Sequence, residues 1–263
     1  ISKTQYGIFV QGASAANKTT GTIINQNLIN TASPNNVQIG GIYVGFNDGA
    51  TISGNNISGM VSSTDAFGIS TGVTSYVATT TTGNEVSNTT ISKNTIGLVQ
   101  NTGTNSCAGI LVGPSATGTN QVSNNMVYGV IGNSTPGDLT VGIFAICGAG
   151  ATQVYYNTVS MSGDRGSGTT ASSLALGVSA TTTSPTLDIR NNILVNSQTT
   201  SSTGKSYAIG LGYTSTTGNY TNLTSNHNDL FTSGANGAFA CTGALNSGTD
   251  RTSLTAWTTE TGR

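Results

Sequence analysis

Ile91-Ser-Lys-Asn94-Thr-Ile96 is the stretch that decides the fold, because the same arrangement returns along the whole chain. In each copy an aliphatic residue stands three positions before an Asn, and a second aliphatic residue stands two positions after it. The copies occupy residues 24–29, 52–57, 91–96, 122–127, 154–159, 189–194 and 225–230. Thirteen of the fourteen flanking positions are Ile, Val or Leu, and Ser225 is the exception.

A second pattern alternates strictly with the first. It consists of Gly or Ala, an aliphatic residue, any residue and then usually another apolar residue, as in Gly109-Ile-Leu-Val112. Its copies occupy residues 7–10, 41–44, 68–71, 109–112, 142–145, 175–178 and 208–211. Short runs with a two-residue period are typical of strands that bury one face.

The distance between repeats predicts how these strands are connected. Successive Asn positions lie 28 to 39 residues apart, far longer than the connections of hairpins. Each repeat is therefore predicted to form one coil, with equivalent strands stacked in parallel about 4.8 Å apart. The predicted fold is an all-β, right-handed parallel β-helix of about seven coils over residues 1–232. Residues 233–263, with the single Trp257 and a short helical turn near the end, are predicted to cap it.

The repeated asparagines are predicted to form an interior ladder. Stacked amides can donate to one neighbour and accept from the other, and Asn tolerates the left-handed backbone that a tight bend requires. The bend is therefore expected at the Asn itself. The predicted ladder consists of Asn27, Asn55, Asn94, Asn125, Asn157, Asn192 and Asn228.

Charge is scarce and scattered, which argues against several classes of function. Only 6% of residues are charged and the net charge is −1, against roughly 25% charged residues in an average domain. No basic stripe exists to bind nucleic acid, and no apolar run approaches the ~20 residues of a membrane span. The nine acidic residues do not pair between coils, as a glycosidase or a calcium-dependent lyase would require. We therefore expect no catalytic site, no metal and no cofactor, with a polysaccharide lyase or hydrolase as the alternative.

A few polar features leave a functional alternative open. Asp188 and Arg190 share a strand face and are expected to form a solvated ion pair, with a catalytic pair as the alternative. His227 is expected to be a polar residue of the last coil rather than a general base. Asp164-Arg165 lies in a run of Ser and Gly that indicates a flexible loop.

Cys107, Cys147 and Cys241 match no zinc spacing, so each is expected to act as a small buried hydrophobe. Their number is odd, which leaves at least one thiol unpaired within the chain. The sequence does not decide whether Cys147 forms a disulfide with a neighbouring coil.

Aromatic residues suggest where a glycan would bind, if one does. Tyr43 and Tyr155 fall on predicted strands, and outward tyrosines in line are candidate carbohydrate contacts. Filling the interior or shielding a sheet face is the other interpretation, and we favour it. Loops 72–88 and 163–173 would accompany such a glycan site. Ice binding is disfavoured, because the threonines cluster in irregular loops instead of recurring at one coil position.

The two patterns resemble the parallel β-helix repeats of pectin-degrading enzymes and of many bacterial surface proteins. The low charge, the Ser/Thr/Gly loops and the endings at residues 228–231 and 254–262 resemble the large secreted β-helix proteins of Bacteroidetes-type bacteria, often exported by type IX secretion. This resemblance implies a non-catalytic structural or adhesive segment, extracellular or at the cell surface. Its implied partners are further coils of the same parent chain, the secretion machinery or surface glycans. The alternative is a carbohydrate-binding or polysaccharide-degrading module.

Overall fold

Stacked parallel strands make up most of the chain. The computed structural model describes residues 4–73, 85–213 and 220–263. Three long sheets run along the molecule, and successive coils add their strands to each of them in order. This arrangement is a parallel β-helix, so the predicted fold class is confirmed.

The wide sheet contains nine strands and is formed by the repeats that begin with Gly or Ala. Its first eight strands pair in parallel, and the ninth turns back antiparallel to the eighth. The strands are Tyr6–Gln11, Gly40–Gly45, Ala66–Thr71, Cys107–Val112, Thr140–Cys147, Ser173–Ala180, Ser206–Leu211, Gly237–Thr242 and Thr249–Arg251.

Two further sheets flank the repeated Asn. The seven-stranded sheet precedes the Asn and contains Ile23–Asn25, Thr51–Ser53, Thr90–Ser92, Thr119–Ser123, Ala151–Tyr155, Leu187–Arg190 and Leu223–Asn226. The eight-stranded sheet follows it and contains Leu28–Asn30, Asn56–Ser62, Thr95–Asn101, Met126–Tyr128, Val130–Gly132, Thr158–Met161, Ile193–Asn196 and Asp229–Thr232. A small fourth sheet pairs Thr19–Thr20, Asn47–Asp48 and Val86–Ser87.

The interior consists of continuous columns of aliphatic side chains. On the seven-stranded sheet the aligned inward residues are Ile24, Ile52, Ile91, Val122, Val154, Ile189 and Ser225. Five of these, from Ile52 to Ile189, are completely buried. The branched side chains that the sequence repeats thus fill one contiguous core. Because side chains alternate along a strand, the residues between them point outward.

The outer face of the wide sheet carries a second apolar cluster. Phe67, Leu111, Phe144 and Leu174 are buried there, although they point away from the main core. Part of their cover comes from the chain after residue 242, where Leu245 belongs to the same cluster. The amide of Asn246 fastens this segment, since its Oδ1 accepts from the Ser172 N–H at 2.8 Å and its Nδ2 donates to the Asp138 carbonyl at 3.1 Å.

The chain ends in the helix Leu254–Thr261. Ser253 caps its first turn by accepting from the Ala256 N–H at 3.2 Å, and Gly262 ends it in the left-handed conformation. Trp257 is 2% exposed and belongs to the main core cluster. The predicted helical turn is confirmed. The capping segment also contributes Gly237–Thr242 to the wide sheet, which extends the β-helix beyond residue 232.

Candidate functional site

The seven repeated asparagines lie in one hydrogen-bonded column at the corner between the seven- and eight-stranded sheets. The Nδ2 of each donates to the Oδ1 of the next at 2.9–3.0 Å, from Asn27 to Asn228. The backbone N–H of each also donates to that same Oδ1 at 2.9–3.1 Å. The five middle members are at most 2% exposed.

From Asn55 onward, the second amide hydrogen of each asparagine points the other way along the column. The Nδ2 of Asn125 donates to the Ile91 carbonyl at 2.9 Å, and Asn55, Asn94, Asn157, Asn192 and Asn228 make the equivalent bond at 2.9–3.0 Å. Each interior amide therefore uses both hydrogens and both lone pairs, which is the full capacity of the group. A buried polar group in this state carries no desolvation penalty for missing partners.

The bend lies one residue earlier than the sequence analysis predicted. The residue just before each column Asn has a positive φ, between 54° and 65°: Gln26, Gly54, Lys93, Asn124, Tyr156, Asn191 and His227. The prediction that Asn adopts the left-handed conformation is therefore wrong. The hydrogen bonds of its side-chain amide are what require Asn at the column position. The residue before it points outward and varies freely in type.

A second buried polar corner, which the sequence analysis missed, lies between the eight-stranded and wide sheets. Arg165 is only 2% exposed. Its Nη1 donates to the Ala171 carbonyl at 2.8 Å, and its Nη2 donates to the carbonyls of Gly204 and Lys205 at 3.1 Å. Burial lowers the pKa of this guanidinium to about 10. The predicted flexible loop at Asp164-Arg165 is thus wrong, because Arg165 clamps three main-chain carbonyls.

Other buried polar side chains share this corner. The Nδ2 of Asn196 donates to the carbonyls of Ser173 and Tyr207, at 3.1 and 3.0 Å. The Nε2 of Gln198 reaches the Val130 carbonyl, two coils away, at 2.7 Å. These hydrogen bonds link neighbouring coils through main-chain carbonyls. The only signal in the sequence is the presence of large polar residues in a chain with few charges.

Tyr43 is fully buried, so it cannot offer its ring to a glycan. It lies on the outer face of the wide sheet, stacked on Phe9 at a centroid distance of 4.7 Å and packed near Tyr6 at 5.8 Å. Burial raises its pKa to about 12. The candidate contact at Tyr43 is therefore wrong, and the alternative interpretation, that it shields a sheet face, describes this residue.

Tyr155 lies half-buried on the outer face of the seven-stranded sheet. Its hydroxyl donates to Asp188 Oδ2 at 2.8 Å, and Arg190 binds both oxygens of the same carboxylate at 2.6 and 2.7 Å. Burial and the bond to Asp188 raise the Tyr155 pKa to about 12. The predicted ion pair is confirmed. The carboxylate is fully engaged by its two neighbours, and glycan contact by Tyr155 stays a prediction.

The three cysteines are free and buried. Burial raises the pKa of Cys107 to about 12, that of Cys147 to about 11 and that of Cys241 to about 12. A thiol held neutral in this way is a poor nucleophile, so the prediction of small buried hydrophobes is confirmed and the disulfide of Cys147 is not formed.

Comparison with protein-family models, with curated proteins and with solved structures gave no significant match. The candidate site therefore depends on the geometry of the chain alone.

Other expected features are partly covered by the structure. In loop 72–88, residues 74–84 lie outside the described residues. His227 is exposed beside the last Asn of the column. Within the described ranges, no three His, Cys, Asp or Glu side chains are grouped to hold a metal ion. Nor does that part of the chain contain a helix long and apolar enough to cross a bilayer.

Proposed function

We propose that this chain is a rigid structural or adhesive segment of a secreted or cell-surface bacterial protein, and that it does not catalyse a reaction. The observation that carries the proposal is the asparagine column, whose hydrogen bonds run without a break from Asn27 to Asn228. Six steps of the usual strand spacing give a length of about 29 Å. A solenoid whose coils are linked both by sheets and by such a column resists bending.

The interior supports the same proposal. The aliphatic columns beside the asparagines continue through neighbouring coils, so that each coil buries the face of the next. A rod of this kind conveys a mechanical load through its stacked coils, which suits a spacer between an anchor and a contact surface. The resemblance to secreted β-helix repeats supports the extracellular location and, more narrowly, export by type IX secretion.

The exposed side chains of the first coil favour another β-helix coil as a partner. Ile8, Val10 and Ile29 are only partly buried, while their equivalents in the next coil are completely buried. Asn27 uses its Nδ2 but, within the described residues, its Oδ1 accepts no hydrogen bond. A further β-helix coil would cover these aliphatic side chains and supply the missing donors. We therefore propose further coils of the same parent chain as its main partner.

Two measurements test the proposal. In single-molecule pulling between reference domains, we expect coils to detach at well-defined length increments of one repeat, 28 to 39 residues. A reducing-sugar screen over charged and neutral polysaccharides should detect no cleavage. Release of reducing ends above a heat-inactivated control would show that the chain is an enzyme. Unfolding at low force without discrete steps would contradict the mechanical role.

A further inference from the structure

The outer face of the eight-stranded sheet is almost without charge. Its outward positions form two aligned columns, Leu28, Asn56, Thr95, Met126, Thr158, Ile193 and Asp229 in one, and Asn30, Ser58, Gly97, Tyr128, Ser160, Val195 and Phe231 in the other. We name these fourteen residues the neutral face. Asp229, at the last strand, is its one charged member. A face of this composition offers nothing to a charged partner.

Tyr128 lies flat on this face. A Cβ atom placed on Gly97 would meet the Cζ and Cε2 atoms of Tyr128 at 2.6 and 2.7 Å, so the ring covers the bare backbone of Gly97. The side chain is nevertheless 46% exposed. One side of the ring therefore rests on the sheet while the other faces solvent, which makes it a flat stacking platform.

Apolar side chains extend the platform along the rod. Met126, Ile193 and Phe231 are 51%, 45% and 54% exposed. Phe231 stands three strands from Tyr128 in the same column, about 14 Å at the usual strand spacing. Large apolar side chains that stay this exposed on one face mark a surface used for contact.

Neutral hydrogen-bonding groups lie between the apolar ones. The side chains of Asn56, Thr95, Thr158 and Ser160 form no hydrogen bond within the described part of the chain. Each hydroxyl can donate and accept, and the amide can do both at once. Such groups, alternating with an exposed ring, match a ligand that has apolar C–H faces and hydroxyl edges.

We propose that the neutral face binds an uncharged polysaccharide, with one sugar ring stacked on Tyr128 and the chain lying along the rod toward Phe231. The aromatic ring supplies contact to the C–H face of a pyranose, and the hydroxyls and amide bind its equatorial hydroxyls. The proposal rests on the adhesive part of the proposed function and names its ligand class. It also moves the candidate carbohydrate contact from Tyr43, which is buried, to Tyr128.

The test uses the full chain in affinity electrophoresis and isothermal titration against a panel of soluble polysaccharides. Laminarin, xyloglucan, glucomannan and hydroxyethylcellulose are the neutral probes, and polygalacturonate and alginate are the anionic ones. We expect binding to at least one neutral probe, none to the anionic probes, and little dependence on salt. Failure of every neutral probe, or binding to the anionic probes alone, overturns the proposal.

Three variants locate the site. Tyr128→Ala should weaken binding about tenfold, a loss of about 1.4 kcal/mol. Gly97→Ala keeps the tyrosine but lifts its ring off the sheet, so it should weaken binding by a similar factor. Phe9→Ala removes a ring that is 50% exposed on a different sheet, and binding should be unchanged. Equal affinity of Tyr128→Ala and the unmodified chain would contradict the assignment.

A second copy of the chain is the rival occupant of this face. Light scattering of the unmodified chain and of Tyr128→Ala distinguishes the two. If the unmodified chain is a dimer and Tyr128→Ala is a monomer, the neutral face is a protein interface and the proposal is overturned. The proposed structural role fails separately, through polysaccharide cleavage or the loss of stepwise mechanical unfolding, and neither result depends on glycan binding.

Discussion

Two corners of the coil reverse the chain in different ways. At the asparagine corner, one left-handed residue and one Asn turn the chain in every coil from 26–27 to 227–228. At the opposite corner, which contains Arg165, the connection between sheets varies from three residues, 63–65, to eleven, 162–172. The first corner is uniform, whereas the length of the second varies along the molecule.

The difference follows from what each corner hydrogen-bonds. A column of side chain to side chain bonds needs the same residue at the same height in every coil, so the length of the bend cannot vary. Arg165 instead donates to three main-chain carbonyls, which any residue supplies. A corner closed in this way accepts insertions, since one long side chain can satisfy loops of different length. The asparagine corner therefore requires a regular coil, whereas the other corner depends on the single residue Arg165.

The largest expected effect is at the irregular corner. Arg165→Ala removes the donors of three carbonyls and should destabilise the chain by about 3 kcal/mol, since each orphaned buried group costs about 1 kcal/mol or more. Urea denaturation measures this change. Lys205→Ala is the control, because the Lys205 side chain is 45% exposed and its ion pair with Asp250 is loose, at 3.7 Å.

Arg165→Lys separates charge from geometry. Lysine keeps the positive charge but lacks the planar fork that reaches carbonyls from two loops. We expect most of the loss seen with alanine. If Arg165→Lys were as stable as the unmodified chain, the clamp would depend on charge and our account of this corner would be wrong.

The next effect is at the regular corner. Asn125→Ala leaves the Asn94 N–H, one Asn94 amide hydrogen and the Ile91 carbonyl without their partner, and should cost about 1–3 kcal/mol. Asn105→Ala is the matched control: it removes the same amide from a loop, where its side chain makes no hydrogen bond within the described residues, and should be near neutral. Equal unfolding midpoints for the two variants would mean that the column contributes nothing.

The same contrast explains what the sequence predicted. Ile91, Asn94 and Ile96 recur because stacked coils require identical shapes, and this periodicity predicted both the fold class and which asparagines share a corner. Arg165 recurs nowhere, and its partners are carbonyl oxygens that every residue has. No pattern of residue types could therefore have identified it as a clamp.

Surface positions were predicted least well. Tyr43 and Tyr128 both lie on the outer side of a strand, and alternation alone cannot tell them apart. Tyr43 is buried because it stacks on Phe9, while Tyr128 stays exposed over Gly97. That outcome depends on the neighbours in adjacent coils, which become known only when the register is known.

A smaller effect concerns pH. Cys107 lies near Arg165, and burial raises its pKa from 9.0 to about 12. A group whose pKa is raised by folding stabilises the folded state fully below pH 9, and this contribution falls as the pH rises toward 12. The cost of Cys107→Ala should therefore shrink above pH 9, by about 1.4 kcal/mol per pH unit at most. The cost of Asn125→Ala should stay constant, because no member of the asparagine column titrates.

Denaturation at pH 8, 9, 9.5 and 10 checks this difference. The unmodified chain must be compared with each variant at every pH, because ionisation of other buried thiols and tyrosines also lowers the stability of the folded chain in alkali. A pH-independent cost for Cys107→Ala would show that the thiol ionises in the folded chain without penalty. Burial would then be incomplete at the irregular corner.

The smallest effect tests whether the column is uniform along its length. Asn27 is half-buried, and its Nδ2 donates to the carbonyl of the exposed residue Asn25 and to Asn55 Oδ1. Asn27→Ala removes both bonds, but Asn55 Oδ1 still accepts from the backbone N–H of residue 27, and water can reach the Asn25 carbonyl. We expect a cost of about 0.5 kcal/mol, at the low end for a hydrogen bond, well below that of Asn125→Ala. A cost as large as that of Asn125→Ala would mean that the first coil is already shielded in the isolated chain, which leaves no open edge for a further coil. The regular corner would then be complete in itself, and the proposed partner would have no place to bind.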